Sequence, residues 1–150
     1  MKLLEVNNLS TGFLSESEVF KAVDNISFSL AKGKTTGIVG ESGCGKSVTA
    51  LSIMRLLPKP AGKIFSGSII FKGQNLLKVQ PREMERIRGN RIGMIFQEPM
   101  TALNPVLSIG KQMIESYRLH TDISYDAALR SAADMLDRVG LSSPDLRMLE

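Results

Sequence analysis

Eight consecutive residues, Gly40-Glu41-Ser42-Gly43-Cys44-Gly45-Lys46-Ser47, constrain this chain more than any other stretch, because they spell G-x-x-x-x-G-K-[ST]. The glycines let the backbone fold around a phosphate group, with consecutive N–H groups turned inward as an anion nest. A helix that starts at Lys46 adds the positive end of its dipole through Lys46, Ser47 and Val48. The lysine of such a loop reaches the β- and γ-phosphates, and the Ser47 hydroxyl ligates Mg²⁺. Gly40, Glu41, Ser42, Gly43, Cys44, Gly45, Lys46, Ser47 and Val48 are therefore the candidate phosphate-binding residues. A match of this kind arises by chance in roughly one chain in 200 of this length. Here it also lies between an apolar run and a helical pattern, the context that such a loop requires. The same segment fails the dinucleotide pattern G-x-G-x-x-G/A, since Gly43-x-Gly45 is followed at the last position by Val48.

The pattern on either side of the loop places it in an α/β protein. LLEVNNLSTGF and EVFKAVDNISFSL read as two strands, and LSESE between them as a turn. TTGIVG is a short apolar run closed by glycine, which suits a strand buried on both faces. From Gly45 the period changes, and Val48, Leu51, Ser52 and Met54 to Leu57 fit a helix that Pro58 and Pro60 terminate. SGSIIFKG is a further strand. Pro81 suits the first turn of a short helix, REMERIR, that Gly89 stops. RIGMIFQ is a second buried-strand candidate. EPMTALNP then reads as an irregular loop bounded by prolines, followed by a helix from Ile109 to Leu119. Ser124 is the N-cap of a second helix with Ala128, Ala132, Met135, Leu136 and Val139 on one face, closed by Gly140. Ser143-Pro144-Asp145 reads as the start of another helix shortly before Glu150, so the chain is expected to be a fragment.

Composition narrows the classes left open. With 150 residues, 43% of them hydrophobic and 23% charged, the chain is expected to be about one soluble globular domain. No apolar run approaches the ~18 residues of a membrane span, and the N-terminus has no signal-peptide core. One cysteine and one histidine exclude a disulfide framework and a multi-cysteine or zinc site, and point to a reducing cytoplasm. His120 reads as a helix-end residue. The net charge of +4 raises the question of nucleic acid. The basic residues are scattered, however, and the densest stretch, Arg82 to Arg91, also contains Glu83 and Glu85. Aromatics are only 5%, too few for a base-stacking platform, so no specific nucleic-acid partner is expected.

Taken with the loop, two further strings carry a family resemblance. VGESGCGKS and MIFQEPMTALNP together resemble the ATP-binding subunits of ABC importers, in the oligopeptide, dipeptide and nickel branch. KAVDNISFSLAKGKTTGIVGESG is similar to that family's approach to the phosphate loop. The resemblance covers essentially the whole chain, and the family's subunits are roughly twice as long. It implies a partial P-loop (RecA-like) core with an antiparallel β portion over residues 1–97, and the start of a helical subdomain over 98–150. It implies ATP with Mg²⁺ as ligands, transmembrane permease subunits and a second ATP-binding subunit as partners, and a cytoplasmic, peripheral place on the inner face of the cell membrane. It makes Gln97 the residue that senses the γ-phosphate, Mg²⁺ and attacking water, so that Ser47 and Gln97 are the metal contacts. It makes Phe13 the aromatic that stacks on adenine, with Phe20 as the alternative. The segment Glu98 to Leu107 is the expected docking surface for the permease.

The departures limit the expected activity. No LSGGQ-like signature is present, nor an apolar strand ending in Asp-Glu, so the Mg²⁺-binding aspartate and the catalytic glutamate are missing. Glu41 and Glu98 do not replace that glutamate, since neither follows an apolar strand in register. Phosphoryl transfer needs the metal held from two sides and a residue that orients water, and this chain supplies half of such a site. The parent protein is expected to hydrolyse ATP to drive uptake of peptides or a related solute, and the chain alone to be inactive. A GTPase would carry Asn-Lys-x-Asp and an adenylate-type kinase an arginine-rich lid, and neither is seen. The remaining alternative is a binding module that holds nucleotide without turnover.

Overall fold

The computed structural model describes residues 2–16, 18–97 and 103–150. They fall into two compact units, one up to Met84 and the other from Glu85. The architecture is α/β, as expected.

The first unit is built on an antiparallel sheet of four strands in the order β2-β1-β3-β4. β1 (Lys2–Leu14) and β2 (Val19–Ala31) form the long hairpin read from the sequence, and β3 (Gly62–Phe71) pairs with the other edge of β1. A short β4 (Gln74–Asn75) follows β3 around a tight turn. The hairpin is not regular. Asn8 and Asn25 take left-handed backbone angles, φ 48° and 52°, and their side-chain amides bond to each other at 3.0 Å. Asparagine tolerates that region because its short polar side chain bonds locally. Gly67 faces the same distortion on β3 at φ 100°, and a Cβ there would stand 2.6 Å from the carbonyl oxygens of Asn7 and Asn8. Only glycine fits so close a crossing.

One face of this sheet carries the core: Val6, Leu9, Val23, Ile69 and Phe71 are buried, joined by Met54, Leu76, Val79 and Met84. α1 (Lys46–Met54) lies against the hairpin. It ends at Arg55, before the prolines expected to stop it, because Arg55 takes a left-handed angle of φ 52°. Its guanidinium donates to the carbonyls of Leu76 at 3.1 Å and Val79 at 2.8 Å, so the helix end is tied to the chain beyond β4. α2 is Pro81–Ile87, with proline in its first turn as read.

Neither of the two runs read as doubly buried strands forms one. Residues 34–40 form no strand, with Ile38 at 50% and Val39 at 95% exposure. In the second unit, residues 93–96 are likewise unpaired after an isolated bridge between Arg88 and Ile92, and Ile95 is 99% exposed. A strand requires a ladder with a neighbour on at least one edge, and among the described residues neither run has one.

The second unit is a helical hairpin of α3 (Ile109–His120) and α4 (Tyr125–Arg138), followed by the single turn α5 (Pro144–Arg147). Ser108 and Ser124 cap the two long helices by accepting from Lys111 N and Ala127 N, each at 3.3 Å. Ala128 and Ala132 let the helices approach closely, and Ile114, Leu136 and Met148 complete the core. The start of α3 is bonded to the residues after α5: Ile109 N–H donates to Glu150 O at 2.7 Å and Gly110 N–H to Met148 O at 2.9 Å. His120 is the last residue of α3, as its sequence position suggested.

Candidate functional site

The phosphate loop is anchored at its downstream end. Gly45 is the N-cap of α1 at φ 93°, and a Cβ there would collide with the Ala22 carbonyl and stand 3.1 Å from Val23 Cγ2. The loop therefore enters the helix in direct contact with β2. Thr49 donates through N–H at 2.8 Å and through Oγ1 at 2.9 Å to Gly45 O. Ser52 Oγ bonds Val48 O at 2.6 Å and reaches Thr11 Oγ1 on β1 at 3.2 Å. Thr11, Thr49 and Ser52 are all buried. Such polar groups inside a core are tolerated because each is satisfied, and here they fix the first turns of α1 on the hairpin.

The binding groups emerge from that anchor. Lys46 Nζ donates to Gly40 O at 2.7 Å and Glu41 O at 2.6 Å, and lies 3.5 Å from Cys44 Sγ. The loop is thus curled around its own lysine. Gly43 takes φ 83°, and Cys44 N–H donates to Glu41 O at 3.3 Å, which closes the turn. Cys44 Sγ sits against Gly40, where a Cβ would be 2.5 Å away. Glu41, Ser42, Gly43, Cys44 and Ser47 are exposed. The N–H groups of Lys46, Ser47 and Val48 precede the first intrahelical bond, which Thr49 makes, and have no acceptor within the helix. A free helix start beside one ammonium offers the kind of donors that phosphate oxygens accept.

Phe13 and Phe20 stand directly opposite each other across β1 and β2. Phe13 is half-buried and Phe20 is 65% exposed. Phe20 is two residues along β2 from Ala22, the residue that Gly45 abuts, a distance of about 7 Å. Either ring is therefore on the same end of the hairpin as the loop. Gln97 is part of the second unit, where it is exposed at the end of the unpaired run. Glu98, Met100 and the remainder of residues 98–102 lie outside the described residues; Leu103 and Val106 are exposed, at 50% and 83%.

A divalent cation has a suitable partner in Ser47 but no ready-made cage. Among the described residues no group of three or more His, Cys, Asp or Glu converges. Mg²⁺ in phosphate sites takes few protein ligands and keeps phosphate oxygens and waters. One exposed hydroxyl at the loop fits a cation that arrives with its triphosphate.

Sequence reasoning missed the buried seam of Thr11, Thr49 and Ser52. Its signal was present: Thr49 and Ser52 are spaced i, i+3 on the face that also carries Gly45, and a polar pair on the buried face of a helix asks for a partner.

Fold and site together define a P-loop nucleotide-binding protein. Residues 23–149 match the ABC transporter family, and the chain belongs to it. It is 49% identical over 146 residues to a probable peptide ABC transporter ATP-binding protein of Sinorhizobium fredii, covering 97% of this chain and 44% of that one. It is 44% identical to the oligopeptide transport ATP-binding protein of Bacillus subtilis, covering 98% of this chain and 41% of the relative. The chain thus spans less than half the length of these curated relatives. Among solved structures, a dimeric ATP-binding cassette in a post-hydrolysis state bound to ADP and Pi superposes with a TM-score of 0.78 at 21% identity. That match covers 93% of this chain and 58% of the cassette, and it concerns the fold. Among the described residues no helix is long and apolar enough to cross a membrane.

Proposed function

We propose that this chain is the nucleotide-binding part of an ABC importer subunit that couples ATP binding and hydrolysis to uptake of peptides or a related small solute. The observation that carries this reading is the loop Gly40–Ser47, curled around Lys46 and anchored through Gly45 on β2. The relatives' described role in peptide transport supplies the solute class. Residues 1–97 carry the nucleotide contacts and 98–150 begin the helical subdomain.

In this reading Lys46 holds the β- and γ-phosphates, the N–H groups from Gly43 to Val48 surround them, and Ser47 is the protein ligand of the Mg²⁺ that accompanies ATP. Phe13, paired across the hairpin with Phe20, offers its ring face to adenine, worth about 0.5–1.5 kcal/mol. Gln97 orients water near the γ-phosphate. Segment 98–107 meets a transmembrane permease subunit, and a second ATP-binding subunit faces the loop. Those partners place the protein on the cytoplasmic face of the cell membrane. The chain as it stands binds nucleotide without turnover, because no Asp-Glu strand supplies the second side of the metal site.

The test is titration of fluorescent ATP and ADP, with and without Mg²⁺, on this chain and on the longer parent subunit. Mg-ATP binding by both, with hydrolysis only by the parent, is the expected result. Absence of nucleotide binding to the parent overturns the reading.

A further inference from the structure

Beyond the exposed apolar residues Leu103 and Val106 lies the question of what holds them in place. The turn that carries them has few side chains to pack, since residues 103–106 are all exposed. Among the described residues its main chain is held by Asn104 itself and by one polar side chain eight residues further on. Gln112 Oε1 accepts from Asn104 N–H at 2.8 Å, and Gln112 Nε2 donates back to Asn104 O at 3.1 Å. The side-chain amide thus pairs with both main-chain groups of a single residue, as a neighbouring strand would. The same Nε2 also donates to Leu107 O at 2.8 Å. Within the turn, Asn104 Oδ1 accepts from Val106 N–H at 3.1 Å and Asn104 O accepts from Leu107 N–H at 3.2 Å. Gln112 is half-buried, and its backbone belongs to α3, whose start is itself bonded to Met148 and Glu150.

We propose that Gln112 is a positioning residue that clasps residues 103–107 and so presents Leu103 and Val106 to an apolar segment of the permease subunit. This rests on the docking role proposed above for 98–107. A carboxamide is the only uncharged side chain of this length that both donates and accepts. A glutamate there keeps the acceptor for Asn104 N–H but sets a negative charge against the Leu107 and Asn104 carbonyls. Methionine keeps length and helix propensity and removes every polar contact.

The test compares Gln112→Met with Lys111→Met, a change at the exposed neighbouring position that leaves the clasp intact. Amide hydrogen exchange is followed in the 150-residue chain. Gln112→Met should speed exchange at Asn104, Val106 and Leu107 by roughly tenfold, the effect of losing such bonds, and leave the α4 amides unchanged. Lys111→Met should leave all of them unchanged. Unaltered exchange in the turn, or equal acceleration throughout α3 and α4, overturns the proposal; the latter makes Gln112 a general stabiliser. A second arm uses Leu103→Cys in a Cys44→Ser background of the parent subunit assembled with its permease. Crosslinking from position 103 should fall severalfold when Gln112→Met is added. A loosened turn with unchanged crosslinking overturns the presenting role, whereas no crosslinking before Gln112 is altered overturns the docking reading itself.

Discussion

Replacing Lys46 by alanine isolates the charge at the centre of the phosphate loop. In the free chain the ammonium already donates to Gly40 O at 2.7 Å and Glu41 O at 2.6 Å. It has three donors, and the third is directed only at Cys44 Sγ, 3.5 Å away and a weak acceptor. A phosphate oxygen can therefore take that third donor without displacing the other two. The truncation removes one charge-assisted bond, worth about 1.5–3 kcal/mol, which is about 10- to 100-fold in affinity at ~1.4 kcal/mol per tenfold. The two carbonyls it releases are exposed, so water replaces the lysine at small cost and the loop should keep its shape. Binding should not vanish, because the N–H groups at the start of α1 remain. Calorimetric titration of Mg-ATP into wild type, Lys46→Ala and Lys46→Arg measures this, with thermal melting as the control for folding. Equal affinities of wild type and Lys46→Ala, with equal melting temperatures, would refute the placement of phosphate at this loop.

Phe13→Ala and Phe20→Ala should weaken ATP unequally while leaving inorganic triphosphate binding unchanged, since only adenine has a face to stack; equal loss for both ligands in a binding titration counts against an aromatic role. Cys44 is exposed beside Lys46 and Gly40, so maleimide should label it and Mg-ATP should slow the reaction; a labelling rate indifferent to nucleotide removes Cys44 from the site. The chain should self-associate, because Ile38, Val39, Ile95 and Phe96 are exposed in segments that join no strand ladder, which leaves apolar surface and backbone open to another copy. Light scattering that finds a monomer with a sharp, high melting transition contradicts this.

The elements that were legible are those whose cause is local. Alternation in ISFSL, the cap Ser124, and Pro81 in a first turn each act within a few residues, and each stands where its pattern placed it. The loop from Gly40 to Ser47 was legible for the same reason, since glycine at 43 and 45 meets a local demand for positive φ. Features that depend on a distant partner were not. Arg55 ends α1 because two carbonyls beyond β4 receive its guanidinium. Asn8, Asn25 and Gly67 distort the sheet together, and nothing in any one segment announces the other two. Gln112 reads as an ordinary helix residue until the turn that it binds is in view.

The two apolar runs that do not become strands separate demand from supply. A run without alternation states that both of its faces should be buried, and that statement is a property of the residues. Whether neighbours exist is a property of topology, and the four strands that pair here include neither run. The consequence for the site is asymmetric. Downstream, Gly45 abuts β2, Thr49 closes on Gly45, and Ser52 reaches Thr11, so the helical half of the loop is held by buried contacts. Upstream, residues 34–40 have no ladder, and Val39 is exposed immediately before the first glycine. What ties Gly40 to the rest of the loop is Lys46 itself, through the bond to its carbonyl. The lysine proposed to receive phosphate is therefore also the strap across the free loop. Because its third donor meets only the weak acceptor Cys44 Sγ, it can serve both roles at once, and a phosphate drawn to it should tighten the upstream half rather than release it.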